Sequence, residues 1–163
     1  GDVEMIEQGQ LFGTFKYLLG FIIPLLTFCS LLIIYRKRAK ENANISRQRN
    51  KKANKVAVKR MKKASSLLKE NQKSEFYDEV LKALWGYIAD KLSIPTADLN
   101  KDIVRENLSK AGISDDDIKN LLDTINECEF ARFSSGSTSL ENMRNVYTSA
   151  TIAINRIENS IKR

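Results

Sequence analysis

Three adjacent carboxylates, Asp115, Asp116 and Asp117, are the residues that most invite a metal ion. A calcium loop of the EF-hand kind needs acids at alternating positions, a central glycine and a closing glutamate. That spacing is absent. Ser114 stands just before the triplet and offers another use for it. A serine hydroxyl accepts a backbone N–H at a helix start, and carboxylates in the first turn face the positive end of the helix dipole. Ser114 and Asp117 have the spacing of a capping box. The two cysteines, Cys29 and Cys128, lie far apart, one in an apolar stretch and one in a polar region, and no CxxC pattern occurs. The chain has no histidine. That removes imidazole acid–base chemistry, Ser-His-Asp triads and most catalytic zinc sites. There is no glycine-rich phosphate loop and no nucleophile elbow. The residues point to no enzyme, no cofactor and no metal site.

What remains is recognition chemistry. Trp85 and Tyr87 lie in one aromatic-rich stretch, and Glu129, Arg132 and Phe133 lie at the end of another. These five are the candidate partner-contact residues. They also have a structural reading. Trp85 and Tyr87 suit a helix core, Glu129 and Arg132 are spaced to pair along one helix, and Phe133 suits a hydrophobic helix end. Arg132→Ala separates the two readings, by its effect on folding or on partner capture.

Helices must position these groups. Ser74 is the expected N-cap of a helix carrying Phe76, Val80, Leu81, Leu84, Trp85, Ile88 and Leu92, which recur at helical spacing. Pro95 interrupts. A short helix is expected over 101–110, with Asn100 as cap and Gly112 closing it. The next runs from Ser114 to about Arg132, and the last from near Leu140 toward Lys162. Residues 134–139 read as a flexible polar loop. No strand pattern of any length is found.

Residues 17–35, YLLGFIIPLLTFCSLLIIY, contain 19 residues and no charge. A helix of that length spans about 28 Å, close to the hydrocarbon thickness of a bilayer. A buried helix of a water-soluble protein would show a polar stripe. Here only Thr27 and Ser30 carry hydroxyls, and both can bond back to their own helix. Pro24 predicts a modest kink. Residues 1–16 carry three acids and one lysine, whereas Arg36, Lys37, Arg38 and Lys40 follow the stretch at once. Basic residues remain on the cytoplasmic side, so the N-terminus is expected outside and the rest inside. A signal peptide shows the reverse order of charge. The chain opens at Gly1, and a larger outward-facing part is expected to precede it.

Charge is distributed unevenly. Residues 36–73 hold 15 basic residues against two acids, while 74–163 hold 11 against 15. Arg36, Lys37, Arg38 and Lys40 are candidate contacts for anionic lipid headgroups. Nucleic acid is the competing partner for this arm, but no aromatic residues interleave with the cations for stacking. A solvated, topology-setting flank is the plain alternative. Residues 36–50 are polar and expected to fray. From Lys51, a stripe of Ala53, Ala57, Met61, Ala64 and Leu68 marks a helix that should pair antiparallel with the next one.

The expected organisation is therefore an extracytoplasmic flank (1–16), a transmembrane helix (17–35), a basic juxtamembrane linker (36–50) and a cytoplasmic domain (51–163). The domain is expected to be all-α, a small helical-hairpin, TPR-like array of about five helices.

Two strings are unusual for a generic helical domain: FYDEVLKALWGYIADKL at 76–92 and ECEFARF at 127–133. With the preceding span and basic helix, they resemble the C-terminal part of the BatD oxygen-tolerance family. Ser135 departs from the proline expected after the ARF stretch. The resemblance implies a bacterial inner-membrane protein with outward-facing β-sandwich domains. It also implies von Willebrand A-domain membrane proteins, other proteins of the Bat operon and a MoxR-type AAA+ ATPase as partners, in aerotolerance and envelope stress. The expected function is a non-enzymatic membrane adaptor. The alternative is a membrane-anchored nucleic-acid- or ribosome-binding module using the basic arm.

Overall fold

The computed structural model describes residues 2–134 and 139–161, with side chains from residue 15 onward. Among these residues every regular element is helical: α1 (Asp2–Lys69), α2 (Lys73–Leu92), a single 3-10 turn (Thr96–Asp98), α3 (Lys101–Lys110), α4 (Asp115–Phe133) and α5 (Leu140–Ile161). The chain divides into two units at Ile45 and Ser46.

The first unit is the N-terminal part of α1. Its apolar stretch is long and apolar enough to cross a membrane. Every described side chain from residue 15 to 45 is exposed, including Phe21, Ile23, Leu25 and Ile33. Proline at 24 removes one backbone donor within the helix. The Thr27 hydroxyl donates to the Pro24 carbonyl at 2.8 Å, and Ser30 donates to Leu26 at 2.8 Å. Both hydroxyls are therefore satisfied locally, as the sequence predicts.

Residues 36–50 differ from expectation, because they are helical throughout. The cause is composition. The stretch lacks glycine and proline and is built largely from Lys, Arg, Glu, Gln and Ala, which lose little freedom in a helix. An apolar stripe is needed for packing, not for continuing a helix already nucleated on either side.

In the second unit, Ala53, Ala57, Met61 and Ala64 of α1 join one buried cluster with residues of α2, α3, α4 and α5. Small side chains let α1 sit close to that core. The pairing of α1 with α2 is antiparallel, since Asn50 Nδ2 donates to the Lys91 carbonyl at 2.6 Å while Lys63 reaches Glu79 at 3.0 Å. Helix α4 packs on both α2 and α5, α2 packs on α5, and α3 lies on α4.

Helix ends explain the tight connections. After α1, Gln72 N–H donates to Leu67 and Asn71 N–H to Leu68, with Asn71 at φ 56°. This is a Schellman closure, and asparagine tolerates the left-handed backbone it requires. Gly112, at φ 81°, closes α3 in the same way, with Ile113 N–H donating to Leu108. Ser93 ends α2 at φ 57°, with Ile94 N–H donating to Ala89. The expected cap at Ser74 is not formed. The cap position falls two residues earlier, at Gln72, and α2 begins at Lys73 without a side-chain cap. The caps at Asn100 and Ser114 are formed, accepting from Ile103 N–H at 2.8 Å and Asp117 N–H at 3.2 Å. Ser139 caps α5 by accepting from Asn142 N–H at 3.2 Å. Of the expected flexible loop, residues 135–138 lie outside the described residues.

Candidate functional site: a groove between α2 and α4

The exposed face of α2 and the C-terminal half of α4 border a groove of about 680 Å³. Its floor is Leu81, Trp85 and Gly86 of α2, and its far wall is Glu129, Arg132 and Phe133 of α4. Arg60 of α1 and Thr96 also reach it. The volume falls within the range of ligand clefts.

Four of the five candidate contact residues meet here, namely Trp85, Glu129, Arg132 and Phe133. Tyr87 does not. It lies two residues beyond Trp85, which turns it roughly 200° around the helix and into the core. It is 2% exposed, and its hydroxyl donates to Glu158 at 2.8 Å. Burial first, and then the Glu158 carboxylate, hold the Tyr87 phenol well above its usual range. Tyr87 is therefore a core residue of the α2–α5 contact.

Glu129 and Arg132 are not each other's ion-pair partners. Lys101 of α3 meets Glu129 at 2.6 Å, and Arg132 meets Asp78 of α2 at 3.4 Å. Asp78 also pairs with Lys82 at 2.6 Å. The bond from Lys82, with the charges of Lys82, Arg132 and Lys63, holds the Asp78 carboxyl below its usual range. Phe133 does not seal a helix end. It is 81% exposed, its neighbour Phe130 is 75% exposed, and the Arg132 guanidinium carbon lies 5.7 Å from the Phe133 ring centre.

Next to Asp78 in α2, Glu79 is almost fully buried and is held by Arg60 at 3.4 Å and Lys63 at 3.0 Å. The groove lining itself carries three cations (Arg60, Lys82 and Arg132) against two carboxylates (Asp78 and Glu129). Arg60, Lys82, Asp78 and Gly86 were not singled out by sequence. The spacing of Asp78 and Lys82, four apart on one helix, is the local signal that was available.

The acid triplet acts as expected for a helix start. Ser114 caps α4, and Asp117 pairs with Arg156 of α5 at 3.2 Å. Among the described residues, no group of three or more acidic, cysteine or histidine side chains is arranged to hold a metal ion. Arg36, Lys37, Arg38 and Lys40 are all exposed on α1.

Comparison with known proteins finds no matching family model, no matching curated protein and no matching solved structure.

Proposed function

We propose that this chain is a non-enzymatic membrane adaptor, anchored by the apolar part of α1 and docking partner proteins in the α2–α4 groove. The observation that carries the reading is the groove itself: an open cleft with the exposed Phe133 at its rim, in a chain that also bears a helix apolar enough to cross a membrane. Exposed aromatic and arginine side chains around a concavity are the composition of protein-binding hot spots. The basic residues that follow the apolar stretch favour a cytoplasmic domain with the N-terminus outside. A cleaved leader shares the length and apolarity of an anchor, but its charge order is the reverse of that seen here.

The resemblance to the BatD family extends this reading. The anchor then lies in a bacterial inner membrane. The helical-hairpin, TPR-like domain receives von Willebrand A-domain proteins, other Bat-operon products or a MoxR-type ATPase, in the service of aerotolerance. Tethering suffices, because it raises the local concentration of docked partners.

A photo-crosslinking residue in place of Phe133 tests the adaptor role in intact membranes. The expected result is a discrete protein adduct. Recovery of no adduct overturns the role. Protease added to sealed spheroplasts tests topology, since digestion of the helical domain from outside overturns the orientation.

A further inference from the structure

Gly86 sits in the interior of α2, where glycine is the least favourable residue after proline. Packing does not demand it. A Cβ added at Gly86 meets nothing within 4 Å, and the backbone there has ordinary helical geometry. The missing side chain keeps the floor of the groove open beside Trp85. Three cations of the lining, Arg60, Lys82 and Arg132, stand against two carboxylates, Asp78 and Glu129, and Asp78 already meets two of those cations. Surplus positive charge thus surrounds an apolar recess.

We infer that the groove receives a short acidic peptide segment with one apolar anchor side chain. The anchor seats over Gly86 against Trp85, and the flanking carboxylates meet Arg60, Lys82 and Arg132. This rests on the adaptor reading and adds the chemistry of the docked segment. A bilayer surface fits less well, because a recessed floor is out of reach of a flat headgroup layer.

The chain contains a single tryptophan. Trp85 emission therefore reports the groove and nothing else. The test uses the full chain in phosphatidylcholine nanodiscs and a phage-displayed library of random 12-residue peptides. The expected selection is rich in Asp and Glu around one Phe, Leu or Ile. A synthetic copy of the selected peptide should shift Trp85 emission saturably. Its affinity should fall at least tenfold in Gly86→Leu, which fills the recess, and in Lys82→Gln/Arg132→Gln, which removes charge from the lining without filling the recess. Thermal unfolding confirms that each variant folds, and either folded variant suffices. A selected consensus that is basic or uncharged, or no enrichment over the variants, overturns the inference. So does an emission shift produced by polyuridylate or phosphatidylglycerol vesicles instead of peptides. Groove binders without acidic residues, together with a Phe133 adduct in membranes, overturn the inference while sparing the adaptor role. Absence of the adduct overturns the adaptor role itself.

Discussion

Lys91 Nζ lies 2.8 Å from Glu158 Oε2, with the two side chains only 6% and 9% exposed. The same oxygen accepts the Tyr87 hydroxyl. This buried polar cluster ties α2 to α5. Removing one partner leaves the other charge buried, which costs about 3–5 kcal/mol. Lys91→Met should therefore destabilise the domain by about 3 kcal/mol in urea unfolding. Lys91→Met/Glu158→Leu, with both charges removed, should recover much of that loss. A double variant as unstable as the sum of the singles contradicts direct coupling.

Tyr87 makes a pH prediction. Its phenol is raised in the folded state and ordinary, near 10, when unfolded. The unfolded state then loses its proton first as pH rises. The stabilising contribution is complete below about pH 10 and declines above it. Tyr87→Phe should flatten that decline in unfolding free energy measured between pH 9 and pH 11. It should also lower stability near pH 7 by about 1.5 kcal/mol, the loss of a hydrogen bond to a charged acceptor.

Cys128 is fully buried, and burial, followed by the charges of Glu127 and Glu129, pushes its thiol up to about 12. The thiolate is the reactive form. In a Cys29→Ser chain, Cys128 should resist alkylation by iodoacetamide at pH 8 and react rapidly once urea unfolds the domain. Fast native labelling would contradict the packing of α4.

Gly86→Ala should raise stability. The change improves helix propensity by about 1 kcal/mol and meets no neighbour. An increase of about 0.5–1 kcal/mol in thermal or urea unfolding is expected. A loss of stability would mean that the groove is narrower than described.

The alanine stripe of α1 is testable in the opposite direction. Ala57 is 1% exposed, so Ala57→Leu forces α1 away from the core and should cost about 1–3 kcal/mol. Val58→Leu, on the exposed neighbouring face, should leave unfolding unchanged.

Much of this architecture is readable from residue patterns. The apolar spacing in α2, α4 and α5 finds the helices, and Asn100, Ser114 and Gly112 mark their ends, because caps and stripes are local signals. Pairing between helices is not local. Glu129 and Arg132 are correctly spaced for each other, yet Lys101 and Asp78 on neighbouring helices take them. Nothing along α4 encodes that choice. Glu158 offers a fainter clue, a charge beside Ile154, Ile157 and Ile161 on the inward face of α5. Its partner Lys91 sits at the end of α2, where a lysine is equally explained by the helix dipole. The groove was visible only in part for the same reason. Its aromatic and charged rim lies in two recognisable strings, whereas its open floor depends on where α4 crosses α2.

The Lys91–Glu158 contact has a consequence for the order of synthesis. Ribosomes deliver the apolar part of α1 first and the last turns of α5 much later. Until Glu158 emerges, Lys91 keeps its hydration and α2 lacks the cover that α5 supplies. The nascent domain must therefore wait, open and available to chaperones, until its last helix has been made.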